Sequence, residues 1–135
     1  MSLFDSHSHL NDEKFDEDRD KIIKEIYESG VTNFITAGYS VESSKKAIEI
    51  SKKYDFIYTT AGVSPNDIPQ TEEELWKQLS EIEEIAKNNN KVVAIGEIGL
   101  DYYWNKENKQ NQKSAFIKQI KIANELELPI VIHTR

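Results

Sequence analysis

Short apolar runs alternate along this chain with longer stretches in which apolar residues recur every three or four positions. The first run ends at His7, and four more cover residues 33–37, 56–61, 92–97 and 129–132. Runs of this length, rich in β-branched residues, predict β-strands. The chain is therefore expected to contain five strands.

The stretches between the runs have the periodicity of amphipathic helices. Helices are predicted over residues 16–29, 41–53 and 110–127, with a further helix beginning after Thr71. Gly30 is a stop signal for the first helix, and Ser40 is a capping residue for the second. Thr71 and Glu74 have the spacing of a capping box at the start of the third.

Five strands separated by four helices, at intervals of about 25 to 35 residues, require crossover connections and hence a parallel sheet. The predicted fold class is α/β, with residues 1–135 forming a single domain. The length alone favours an open, doubly wound sheet of five strands, because a complete eight-stranded barrel needs about 250 residues.

Composition and charge limit the chemistry. The 17 Lys and Arg residues against 24 Asp and Glu give a net charge of −7, which argues against a broad basic surface for nucleic acid. A site charged by bound cations is still compatible with such a substrate. Since the chain has no cysteine, any metal must use nitrogen and oxygen ligands. The absence of a signal sequence and of a long apolar segment predicts a cytoplasmic protein with no membrane partner.

Polar side chains cluster at the predicted strand ends, where parallel α/β folds place their chemistry. These residues are His7 and His9 after the first strand, Ser64 and Asn66 after the third, Glu97 after the fourth, and His133 after the fifth. All three histidines of the chain are among them. This shared position favours a common site.

Each of these residues also has a simpler interpretation. His7 and His9, one residue apart on an extended segment, point the same way and can hold one ion, or they form a solvated pair. Glu97 lies in an apolar stretch and either binds a cation or faces solvent. His133 is a ligand or a core histidine. Residues 102–104, Tyr-Tyr-Trp, form either a stacking surface for a base or, as favoured here, packing against a neighbouring loop.

Three segments in this order resemble the signatures of TatD-related metal-dependent DNases. They are residues 4–10 (FDSHSHL), 93–103 (VAIGEIGLDYY) and 128–135 (LPIVIHTR). The resemblance runs over the whole chain. It implies the first five strands of a TIM-type (β/α)8 barrel, one or two divalent ions such as Mg²⁺, Mn²⁺ or Zn²⁺, and hydrolysis of DNA phosphodiester bonds.

The resemblance also implies roles for individual residues. His7 and His9 serve one metal ion, Glu97 bridges two, and His133 serves the other. The family's catalytic aspartate comes from a later strand, beyond Arg135, so no catalytic residue is assigned. In the loop after the third strand, the family commonly has two histidines where this chain has Ser64 and Asn66. These two residues and Arg135, whose planar fork suits phosphate, are the predicted substrate contacts.

Two alternatives to a DNase remain open from the sequence. A related metal-dependent hydrolase acting on an amide, an ester or another phosphoester would share the ligand set, since a fold does not fix a substrate. The second alternative is that the 135-residue chain is a non-catalytic fragment, because five strands cannot close an eight-stranded barrel. Its exposed sheet edges then predict self-association and weak or absent catalysis.

Overall fold

The computed structural model describes residues 1–135 and shows strands and helices in strict alternation. The elements are β1 (Leu3–Ser8), α1 (Arg19–Glu28), β2 (Val31–Thr36), α2 (Val41–Lys53), β3 (Ile57–Ala61), α3 (Glu72–Asn88), β4 (Val92–Leu100), α4 (Lys109–Glu125) and β5 (Ile130–Thr134). Short 3₁₀ helices cover Glu13–Phe15 and Pro65–Asp67. All five predicted strands and all four predicted helices are present.

Helix α2 has the bounds that its capping signal predicts. The Ser40 hydroxyl accepts the backbone N–H of Ser43, and the Ser43 hydroxyl accepts the N–H of Ser40. This reciprocal pair satisfies donors that the first helical turn leaves free. At the start of α3, Thr71 accepts the N–H of Glu74 in the same manner.

Helix α1 begins at Arg19, three residues later than predicted. The side chain of Asp12 instead caps the 3₁₀ helix before it, and Asp16 is held by ion pairs with Lys46 and Arg19. Hydrogen bonds from Lys46 and Arg19 lower the pKa of Asp16 below its usual value. Local side-chain bonds thus compete with the helix for these residues.

The sheet is parallel throughout, and its strands lie in the order β1-β2-β3-β4-β5. A doubly wound sheet reverses its strand order at a switch point, whereas a barrel adds each strand beside the previous one. The uninterrupted order is therefore that of a barrel arc. The prediction of five strands of a TIM-type barrel is confirmed, and the open, doubly wound alternative is not.

The helices cover one face of this half-barrel. Buried apolar residues of α3, such as Leu79 and Ile82, pack with Ile95 and Ile98 of β4 and Ile122 of α4 in the larger core. A smaller core joins α1 and α2 to β2 and β3. No helix combines the length and apolar character needed to cross a bilayer.

The opposite, concave face of the sheet has no helix against it. A trough of about 750 Å³ is lined only by residues of the strands and their ends, among them Phe4, Ile35, Tyr58, Val93 and Val131. Phe4 is 58% exposed. In a closed barrel, side chains from the opposing strands fill this space.

Candidate metal centre

The pairing of β1 with β2 is irregular near the end of β1, where His7 and His9 lie. Three residue steps from Asp5 to Ser8 face only two steps of β2, from Phe34 to Thr36. The extra residue forms a bulge, a feature that bends a strand and redirects its side chains. Ser8 donates its hydroxyl to the Ile35 carbonyl oxygen, at 2.8 Å.

A second bulge redirects Glu97 in β4. Three residue steps from Ile95 to Ile98 face two steps of β5, from Ile130 to Ile132. The backbone N–H of Glu97 donates to the carbonyl oxygen of Gly38 at 2.6 Å, beyond the end of β2. β4 continues to Leu100, so Glu97 lies within the strand rather than at its end as predicted. The bulge takes Glu97 out of the regular pairing with β5.

The side chains of His7, His9 and Glu97 converge on one point. The two Nε2 atoms lie 3.2 Å apart. Glu97 Oε1 lies 3.2 Å from His7 Nε2, and Oε2 lies 3.7 Å from His9 Nε2. The glutamate side chain is 14% exposed, whereas both histidines are about 40% exposed. The group is thus anchored on its acidic side and open on its imidazole side.

These separations suit a metal ion. Ligands about 2.0–2.1 Å from a tetrahedral ion lie roughly 3.3–3.4 Å from one another. Two of the three separations are 3.2 Å and the third is 3.7 Å, and one ligand atom from each residue lies within 4.8 Å of the others. Two neutral imidazoles and one carboxylate are a donor set for a divalent cation. The residues present therefore fit the metal that the resemblance implies.

His133 lies outside this group of three and is held by a different carboxylate. Its Nε2 lies 2.9 Å from Oδ2 of Asp101. Imidazole ligands of metals often use one ring nitrogen for the ion and the other for a carboxylate, which fixes the tautomer. The bond to Asp101 leaves Nδ1 of His133 as the nitrogen available for an ion.

Asp101 is fully buried at the end of β4. Burial alone would raise the pKa of its carboxyl group, but hydrogen bonds from His133, from the backbone N–H of Tyr103 and from the Asn66 amide outweigh burial and lower it. The Gln112 side chain clamps the backbone of Asp101, accepting its N–H at 2.8 Å and donating to its carbonyl oxygen at 3.0 Å. Asp101 is therefore held as a charged acceptor.

Glycines let the strands approach one another here. A Cβ at Gly99, whose φ is +154°, would lie 2.1 Å from the carbonyl oxygen of His133. At Gly96 it would lie 2.6 Å from Cβ of Val131. These glycines allow the close approach of β5, which places His133 beside the end of β4.

The two predicted substrate contacts in the loop after β3 bond within the protein. The Ser64 hydroxyl donates to Asp67 at 2.6 Å, and the Asn66 amide donates to Asp101 at 3.3 Å. Burial is the main cause of a raised pKa at Asp67, to which the nearby charge of Glu97 adds. The loop therefore packs against the candidate centre. Contact of Ser64 and Asn66 with substrate stays a prediction.

Asp101 and Asp67 were not assigned a role from the sequence. Asp101 had a usable signal, since it is a carboxylate directly after an apolar strand, as Glu97 was thought to be. Asp67 had none, because its proximity to Glu97 depends on how the 3₁₀ helix Pro65–Asp67 folds back toward β4. Carboxylates near strand ends are thus candidates for a role in the site even where no sequence motif marks them.

Comparisons with known proteins show which family this chain resembles. A family model described as TatD related DNase matches residues 4–135. The metal-dependent hydrolase YabD of Bacillus subtilis is 44% identical over 136 residues, which cover 98% of this chain and 51% of YabD. The 3'-5' ssDNA/RNA exonuclease TatD of Salmonella typhimurium is 37% identical, over 98% of this chain and 50% of its own length.

Solved structures show the same relationship. A hydrolase of the TatD family from Entamoeba histolytica superposes with a TM-score of 0.86 at 30% identity, over 100% of this chain and 50% of that one. A TatD homolog from Escherichia coli K12 superposes with a TM-score of 0.85 at 26% identity, over 98% and 51%. The chain spans about half the length of these relatives.

Proposed function

Because the chain belongs to the family of TatD-related DNases, we propose that its half-barrel carries one part of the active site of a metal-dependent nuclease. The reaction is the hydrolysis of phosphodiester bonds in DNA. The Salmonella typhimurium relative is a 3'-5' ssDNA/RNA exonuclease. This name supports single-stranded DNA as the substrate and adds RNA as a second candidate. The observation that carries the proposal is the convergence of His7, His9 and Glu97.

A divalent ion at this point would polarise a phosphate oxygen and make a water molecule more acidic. His7 and His9 would supply neutral nitrogen donors, and Glu97 would supply the negative charge that balances the ion. His133 would serve a second ion from the end of β5, oriented by Asp101 at 2.9 Å. Arg135 would hold a substrate phosphate through its planar guanidinium group.

A nuclease assay on single-stranded DNA tests the proposal. For the site within a complete barrel, we expect product release that requires added Mg²⁺, Mn²⁺ or Zn²⁺ and stops when EDTA is added. Glu97→Gln should abolish it, and Glu125→Gln, on the exposed surface of α4, should not. Parallel assays with amide, ester and phosphomonoester substrates cover the alternative hydrolases. Cleavage of those substrates alone would contradict the DNase assignment.

The 135-residue chain by itself is proposed to self-associate and to turn over substrate weakly or not at all. Its concave trough holds apolar side chains from every strand. The outermost strands β1 and β5 expose apolar residues, with Phe4 at 58% and Ile132 at 51%. Unpaired strand edges of this kind bind other strands. A second copy is the proposed partner.

Light scattering after size exclusion measures this directly. A mass at or above that of a dimer is expected, and Phe4→Lys should shift the chain toward the monomer by placing charge in the trough. A wild-type chain that stays monomeric at high concentration would contradict the proposal. The cytoplasmic location stays a prediction, which fractionation of cells would test.

A further inference from the structure

Two large aromatic side chains stand exposed in the loop that follows β4. Tyr103 is 61% exposed and Trp104 is 66% exposed. The sequence favoured packing of these rings against a neighbouring loop. Instead they contact each other edge to face, with centroids 4.8 Å apart. Exposed aromatic side chains that lie side by side are typical of binding sites.

A cation completes the cluster. The guanidinium carbon of Arg135 lies 4.2 Å from the centre of the Tyr103 ring and 5.3 Å from that of Trp104. An arginine stacked on aromatic rings keeps its N–H groups at the edge, available to an anion. We name Tyr103, Trp104 and Arg135 the aromatic cluster.

The aromatic cluster is tied to the candidate metal centre. The backbone N–H of Tyr103 donates to Asp101 Oδ1 at 3.0 Å, and Asp101 Oδ2 lies 2.9 Å from His133 Nε2. Arg135 follows His133 by two residues. One buried carboxylate therefore positions both a predicted metal ligand and the start of the aromatic loop.

The loop that carries the cluster holds two lysines, although the chain carries a net charge of −7. Lys106 lies in the same loop, and Lys109 places its ammonium 4.8 Å from the centre of the Tyr102 ring. Between Tyr102 and Lys109 the only acidic residue is Glu107. A polyanion approaching the aromatic cluster would therefore meet cationic side chains of this loop.

We propose that the aromatic cluster is a subsite that stacks an unpaired base of single-stranded DNA or RNA, with Arg135 holding the adjoining phosphate. The inference rests on the proposed action on nucleic acid and names the residues that would bind it. Aromatic faces bind every base because each base has a π-face, whereas paired bases in a duplex are already stacked. The preferred substrate is accordingly single-stranded and without strict sequence preference.

Tryptophan fluorescence tests the stacking directly. The chain has two tryptophans, and Trp76, on α3, is 40% exposed, so Trp76→Phe isolates the signal of Trp104. The probes are oligodeoxythymidine, oligouridine and an abasic oligonucleotide of equal length, each titrated in EDTA. Quenching by both base-containing strands but not by the abasic strand is expected, and quenching by one alone identifies which of these two strands the subsite prefers. Equal quenching by all three, or by none, would overturn the proposal.

Affinity provides the second readout. Loss of one stacked base weakens binding by roughly 5- to 150-fold, so Trp104→Ala should raise the Kd for oligodeoxythymidine by that factor, and Trp104→Phe should restore most of it. Trp76→Ala is the control and should leave the Kd unchanged. Equal effects of both alanine variants would overturn the subsite. Because the titrations contain no metal ion, loss of hydrolysis and loss of stacking are distinguishable.

Discussion

Gln119 of α4 connects the helix layer to the loop that follows β3, and its replacement is predicted to be costly. The side chain is fully buried. Its Oε1 accepts the N–H of Val63 at 2.8 Å, and its Nε2 donates to the Val63 carbonyl oxygen at 3.0 Å. Gln119→Leu keeps the approximate volume and removes both partners. Two buried backbone groups of Val63 are then left unsatisfied.

The expected loss follows from these two groups. A buried donor or acceptor without a partner costs roughly 1–3 kcal/mol, so the two together cost about 4 kcal/mol at mid-range. The buried leucine side chain offsets about 2 kcal/mol of this. The net decrease in the free energy of unfolding is therefore about 2 kcal/mol. With a urea dependence near 2 kcal/mol per molar, the unfolding midpoint falls by about 1 M.

Urea unfolding followed by circular dichroism measures this shift. Gln110→Leu is the matched control, because Gln110 lies on the same helix and is exposed. Its midpoint should move by less than about 0.3 M, as expected of an exposed site. Equal midpoints for Gln119→Leu and Gln110→Leu would refute the reasoning, since the Val63 hydrogen bonds would then carry no net stability.

Three further predictions concern the site and the surface. Asp101→Asn should weaken binding of the ion served by His133 by roughly 10- to 100-fold in equilibrium dialysis, as loss of an outer carboxylate commonly does; unchanged affinity would contradict this. Gly99→Ala should destabilise the chain by roughly 1–3 kcal/mol more than Gly30→Ala, which is the cost of overpacking. Both glycines have positive φ, but a Cβ at position 30 comes no closer than 3.7 Å to another atom, so equal losses of stability would count against the clash at Gly99. The pKa of Asp16 is lowered in the folded chain, so its ion pairs stabilise the fold above the usual aspartate pKa of about 4 and lose that effect as the pH falls through the lower, folded value. The difference in melting temperature between wild type and Asp16→Asn should therefore shrink in acid, and a constant difference would contradict the pairing.

Much of the fold follows from local signals in the sequence. Helix α2 could be bounded from Ser40 because a capping bond depends only on neighbouring residues. The alternation of elements follows from periodicity and requires a parallel sheet. Length pointed to an open sheet, and the strand order was needed to decide, since it depends on contacts between elements that no local pattern encodes.

The candidate site was predicted in part for the same reason. The convergence of His7 and His9 follows from their spacing on an extended segment. The bulge that turns Glu97 toward them depends on the register between β4 and β5, and the pairing of His133 with Asp101 depends on that same register. Single residues could thus be identified from the sequence, whereas their arrangement required the packed sheet.

The metal centre is the central claim, and equilibrium dialysis of the chain against Zn²⁺ or Mn²⁺ tests it most directly. An ion is predicted to bind at His7, His9 and Glu97, and binding at this site should be lost in His9→Ala and in Glu97→Gln and retained in the surface variant Glu125→Gln. Unfolding curves of each variant in EDTA show that the fold is intact. Binding of equal strength in wild type, His9→Ala and Glu97→Gln, or no binding by the folded wild type, would contradict the assignment.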